Sequence, residues 1–186
     1  MAATGCSQTR LTHPKRSAVE QLLISTAADR AWDAAHAEVF AGKKVYVDSA
    51  YFESEDKLYA LGALRDALSS NGALLMAKAE DAEIIVEPRS GALSIDSNDS
   101  LLGIPKLPVP IPFTGVVESP ELALMKAERQ FSTAKFAFVA FENQSRAHFA
   151  SSGPLVGKAN IKYYRILGLI RFTRTTIPEK QRQREE

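Results

Sequence analysis

The sequence predicts an α/β fold of the α+β kind, a single mixed or mainly antiparallel sheet packed by about three helices. Two stretches repeat apolar residues at three- and four-residue steps and stop near glycine, which marks amphipathic helices. Several shorter stretches, rich in Val, Ile, Tyr and Phe and bounded by turn residues, read as strands. With 186 residues, 45% of them hydrophobic and 24% charged, the chain is long enough to bury one core without disulfides or a structural metal. That composition excludes a chain disordered throughout.

The first helix opens at Ser17, where Ser-Ala-Val-Glu offers a capping box with Glu20. Val19, Leu22, Leu23, Ala27, Ala31, Ala35 and Val39 form its apolar stripe, with Trp32 beside it, and predict a helix running to about Phe40 and stopping near Gly42. Lys44 to Ala50 reads as a strand, and Asp48 ends it. A second helix from Ser54 carries Leu58, Leu61, Leu64 and Leu68 and stops at Asn71-Gly72. Ala73 to Ala77 and Glu83 to Ile95 read as strands, the second bent or bulged at Pro88 and Gly91 because proline cannot donate to a sheet ladder.

Residues 101–117 depart from the loop norm. Pro105, Pro108, Pro110 and Pro112 forbid a helix, while Leu102, Ile104, Leu107, Val109, Ile111 and Phe113 make an extended segment oily. Such a strip either folds over the apolar edge of the sheet or stays exposed as a binding patch for a protein partner or a membrane interface. Ser119, Pro120 and Glu121 form a helix start, predicting a third helix with Leu122, Met125 and Ala123 or Ala127 inward. Ala134 to Phe141 is apolar on both faces, as a central strand is. Asn143-Gln144-Ser145 turns the chain into a hairpin partner at 146–151, and Ser152-Gly153-Pro154 turns it again. Ile161 to Thr173 alternates around Gly168 as a last strand or a pair of short strands, and Lys180 to Glu186 is a charged tail.

The single cysteine cannot form an internal disulfide. Its setting, Ala3-Thr4-Gly5-Cys6-Ser7, resembles the end of a bacterial lipoprotein signal peptide, in which small residues precede a Cys that becomes the lipid-bearing first residue. Ala3 stands where a larger aliphatic residue is usual, and no charged or apolar region precedes it. The segment is then a truncated leader, or the thiol is incidental. The polar stretch from Ser7 to Arg16 suits a tether. Ser7 in place of Asp implies, by that family's sorting rule, the outer membrane on its periplasmic side. The organisation expected is therefore a leader and tether at 1–16, one domain at 17–178 and a disordered tail at 179–186.

Val45-Tyr46-Val47, Leu61, Leu64 and Leu68, Asn71-Gly72, and Asp81-Ala82 before Ile84-Ile85-Val86 resemble the α/β domain of several envelope lipoproteins, including the curli secretion channel subunit and the activators of peptidoglycan synthases. Glu20 to Leu23, Ser25 to Arg30, Pro105 to Pro112 and Ser119 to Leu124 are similar to motifs of an uncharacterised bacterial lipoprotein family, over nearly the whole chain. The resemblance implies an envelope address and no known activity.

Catalytic patterns are sparse. His13, His36 and His148 have no second ligand type at metal spacing, no nucleophile elbow occurs, and Gly153 to Lys158 is too short for a phosphate loop. No enzyme activity, metal or cofactor is expected. Asp48 and Glu53 form a carboxylate pair in a cleft or lie solvated at a strand end. Tyr163, Tyr164, Arg165, Arg171 and Arg174 form a basic-aromatic surface for a glycan or small ligand, or one core tyrosine among solvated arginines. Twenty-three Lys and Arg balance 22 Asp and Glu, so no global field draws nucleic acid, which is not an expected partner. The function expected is a lipid-anchored, non-catalytic interaction or assembly module, held to the membrane through Cys6 and meeting an envelope protein. The alternative is a small-ligand or glycan-binding periplasmic domain.

Overall fold

A computed structural model describes residues 15–111, 115–119 and 122–178. Cys6, His13, Phe113 and the charged tail lie outside the described residues.

Helix α1 (Ala18–Asp33) begins with the capping box the sequence announces: Glu20 N–H donates to Ser17 Oγ at 3.2 Å and Ser17 N–H donates to Glu20 Oε2 at 2.7 Å. It ends earlier than its apolar stripe suggests. A 3-10 turn over Ala37–Phe40 follows, and it drops Phe40 against Phe138 and Phe149, each ring 5.7 Å away. Val39, the last residue of the expected stripe, is exposed.

Strand β1 (Lys44–Val47) leads through a loop to helix α2 (Lys57–Ser70), which returns to the short strand β2 (Leu74–Leu75). Gly72, at φ +88°, ends α2 in the left-handed region that glycine tolerates. Because β2 lies parallel to β1, α2 runs against the strand direction. Helix α1 lies beside α2 in the same sense: Arg16 pairs with Asp56, Tyr59 Oη donates to Asp29, and Trp32 Nε1 donates to Ala60 O at 2.9 Å.

Strand β3 (Ile84–Ile104) is parallel to β1 and antiparallel to β6 (Leu122–Glu142); both are 21 residues long. Between them, β4 (Pro108–Ile111) and β5 (Gly115–Glu118) make a separate two-stranded hairpin. Strands β7 (His148–Ser151) and β8 (Leu155–Ile166) both pair with β6, and β9 (Ile170–Thr175) closes the order β2-β1-β3-β6-β8-β9. The fold is α+β, a seven-stranded mixed sheet with helices on one face.

The described residues hold two α-helices, not three. The residues read as a third helix from Ser119 belong to β6, where 122–131 pair with β3 on one side and, from Met125, with β8 on the other. Ser119 Oγ accepts from Leu107 N–H at 3.0 Å, across the hairpin. Hydrogen bonding on both edges outweighs a local helix start whose worth is about 1 kcal/mol. The expected bulge in β3 falls between Ser90 and Ala92, at Gly91, while Pro88 keeps its register opposite Phe138. Pairing with β3 on one edge and with β8 and then β7 on the other makes β6 central at Ala134 to Phe141, as its apolar faces imply.

The core lies between the helices and one half of the ribbon. Trp32 stacks on Phe136 at 4.9 Å, Phe52 meets the same ring at 5.3 Å, and Val45, Val86, Leu64 and Leu68 close around them. Helix α1 seats directly on β8. A Cβ at Gly157 would lie 1.9 Å from Ala27 O, so only glycine allows that approach.

Candidate functional site

The ribbon extends beyond the helices. Trp32, near the α1 C-terminus, lies on Phe136, and Ala27 lies on Gly157, which is opposite Ala134. The α1 N-terminus therefore points along the strands toward residues 96–104 of β3, 122–131 of β6 and 161–175 of β8 and β9. No helix covers the last of these rows, and the large exposed hydrophobics collect there: Leu102, Ile104, Leu107, Val116, Leu124 and Met125 among them.

The proline-rich strip is extended, as its prolines require. Leu102 and Ile104 end β3, Leu107 lies between the strands, and Val109 and Ile111 are on β4. Leu102, Ile104 and Leu107 are exposed, and β4 and β5 pair only with each other. The described part of the strip does not fold back over the sheet. Lys106 and Glu118 pair at 3.8 Å across its base.

The second candidate group is brought together by the β8–β9 hairpin. Register places Lys126 opposite Arg165 and Arg165 opposite Arg171, so three cations from adjacent strands stand in one row on one face. Tyr163 is opposite Glu128 and Thr173 in the next row, and Lys126 Nζ lies 3.8 Å from Glu128 Oε1. These residues with Tyr164 and Phe172 line an open cleft of about 310 Å³. Tyr164 and Phe172 stack on one another at 4.7 Å and 14°. Arg174 lies further along β9, opposite Lys162 and away from the cleft lining.

Of the two readings of Ile161 to Thr173 around Gly168, one strand or a pair, the structure shows the pair, and the apolar turn that joins β8 to β9 was not singled out from the sequence. Leu169 N–H donates to Ile166 O at 3.1 Å, and the two residues between them both have positive φ, Leu167 at +50° and Gly168 at +71°. That is the backbone of a tight hairpin turn, in which Asn, Asp or Gly is the usual occupant. A leucine in the left-handed region costs about 1–2 kcal/mol. Burial does not offset it, since Leu167 is 61%, Leu169 86% and Ile170 60% exposed. The signal was present in the sequence as Leu-Gly-Leu-Ile between Arg165 and Arg171, an apolar turn set in cations. Lys126 was missed for another reason: its partner strand is 39 residues away.

The remaining candidates stay apart. Asp48 Oδ1 accepts from Ala50 N–H at 3.0 Å, while Glu53 is exposed and faces Lys57 at 3.8 Å. His36 and His148 are exposed. Among the described residues no three His, Cys, Asp or Glu side chains are placed to hold a metal ion, and no helix is long and apolar enough to cross a membrane. Between the helices, burial pushes the Asp29 carboxyl above its usual range, opposed by the Tyr59 hydroxyl that donates to it at 3.0 Å. Burial likewise raises Tyr59.

The family of unknown function DUF6655 matches residues 2–181. The chain belongs to this family. The DUF6655 match takes in Cys6, the strip and the β8–β9 hairpin alike. No curated protein matches the chain.

Proposed function

We propose that this DUF6655 protein is a lipid-anchored module of the bacterial cell envelope that works by contact and not by catalysis. Cys6 bears the lipid, the protein sits on the periplasmic side of the outer membrane, and the strip at 101–117 meets an envelope protein. The observation that carries this reading is the exposure of Leu102, Ile104 and Leu107 on a segment whose hairpin pairs with no strand of the main sheet. Exposed aliphatic residues grouped on one extended element are a contact surface in search of a cover.

Two measurements test it. Intact mass of the protein from bacterial membranes, expressed with its native upstream codons, is expected to show a lipid adduct on Cys6; an unmodified soluble product removes the envelope address. In-cell crosslinking is expected to give adducts that Leu102→Asp with Leu107→Asp abolishes while the melting temperature holds. Unchanged adducts would remove the strip from the contact surface.

The 310 Å³ cleft favours a second reading, a small-ligand or glycan-binding periplasmic domain. Under that reading an envelope saccharide raises the melting temperature, and Tyr163→Ala abolishes the rise.

A further inference from the structure

The β8–β9 turn is unlike the strip in one respect: its apolar residues are ringed by cations. Leu167, Leu169 and Ile170 project at the turn, Arg165 and Arg171 stand directly behind them, and Lys126 completes the row. Like charges placed directly opposite on neighbouring strands repel. Neither Arg165 nor Arg171 makes an ion pair to any described residue, and Glu128, which lines the same cleft, lies against Lys126 at 3.8 Å, so no direct pairing among the described residues offsets that repulsion. An anion between the two guanidinium groups would, and phosphate oxygens match their planar donor fork.

We propose that this turn is a membrane-contact tip: Leu167, Leu169 and Ile170 enter the apolar layer of an anionic bilayer, and Arg165 and Arg171 take the phosphates of its lipids. Charge and hydrophobicity are ordered along the hairpin as a bilayer surface is ordered with depth. The aliphatic turn is outermost, the cations follow, and Tyr163, Tyr164 and Phe172 come next, amphipathic or aromatic groups of the kind that favour the headgroup level. A sugar fits this arrangement less well, because Tyr164 and Phe172 each turn one ring face to the other. An apolar protein pocket would accept the turn without calling for the cations behind it.

The direction of α1 agrees. Its N-terminus points toward the same end of the molecule as the turn, and Cys6 is nine chain steps from Lys15, a reach of at most about 32 Å. Here the inference rests on the proposed anchor: a lipid on Cys6 and the β8–β9 turn would face one bilayer.

The test separates the tip from the anchor. The full chain carrying Cys6→Ser, and so without lipid, is sedimented with vesicles of phosphatidylcholine alone or with about a third phosphatidylglycerol. Binding to the anionic vesicles is expected, at least about tenfold tighter than to the neutral ones, and lost to the neutral level in Arg165→Gln with Arg171→Gln. Leu169→Asp with Ile170→Asp is expected to abolish binding to both vesicles at an unchanged melting temperature. Equal affinity for the two vesicles, or binding that survives both double variants, overturns the proposal. So does a melting temperature raised by inorganic phosphate through Arg165 and Arg171 in the absence of vesicle binding, which would make the row a free-anion site. None of these results bears on a lipid adduct at Cys6 or on crosslinks lost with Leu102 and Leu107, so the envelope reading stands or falls separately.

Discussion

Strands β3 and β6 are each one continuous ladder, yet their two halves have opposite fates. In one half, Ile84, Val86 and Pro88 of β3 and Ala134, Phe136, Phe138 and Ala140 of β6 are buried beneath α1 and α2. In the other, residues 96–100 of β3 are all exposed. Backbone pairing is the same in both. What differs is the covering layer: α1 meets β8 at Gly157, where small residues let the helix come close, and its N-terminus stops short of Arg165, eight residues or about 27 Å further along the strand. Hydrogen bonding holds the ribbon together over its full length, but only the covered half contributes a hydrophobic core.

Truncation of a ring beneath the helices, set against one on the opposite face of the same strand, gives the largest effect. Phe136→Ala removes a ring packed on Trp32 and Phe52 and is expected to cost about 3–5 kcal/mol in urea unfolding, whereas Phe131→Ala should cost under about 1 kcal/mol. Equal losses would mean that the opposite face is packed as well, and the covering helices would not account for the difference. Next comes the seat of the helix. Gly157→Ala places a carbon against Ala27 O, and a loss of about 1–3 kcal/mol is expected from overpacking. A variant of unchanged stability would show that α1 rides free of β8.

The smallest effect lies between the helices and sharpens the picture of the covered half. Burial raises Asp29 above its unfolded value of 3.8, so between that value and its folded pKa the native state binds more protons than the unfolded chain. Stability contributed by this group therefore falls as pH rises through that window. Asp29→Asn is expected to flatten the dependence, read as a smaller change in urea midpoint between about pH 3 and about pH 7. A variant that tracks the parent across that range would place Asp29 in water.

Legibility in the sequence followed the same boundary between local and distant causes. The Ser17–Glu20 capping box, the Gly72 stop and the Gly91 bulge were readable because each is decided within a few residues. The central place of 134–141 was readable from apolar character on both faces. At 122–131 the local evidence pointed the wrong way: Ser119-Pro120-Glu121 starts a helix in isolation, and Leu122 and Met125 sit at helical spacing. Leu102 opposite Met125, and Met125 opposite Ile166, decided the matter across 23 and 41 residues. Of the candidate site residues, the oily strip and the tyrosine-arginine group were named from composition, yet nothing local placed Lys126 beside Arg165 or made an exposed turn of Leu167 and Leu169.

By itself, then, the sequence determined an α+β chain with one core, the N-terminal capping box of α1 and the Gly72 stop of α2, a central apolar strand and an extended proline-rich strip. Each of these follows from backbone preference or from periodicity, which act over one or two turns of chain. Tertiary structure decided that a predicted third helix is strand, that the ribbon outruns its helices, and that the aliphatic and cationic residues meet at its uncovered end. Those outcomes depend on strand register and on how far a helix reaches along a sheet, and both are set by contacts between residues far apart in sequence.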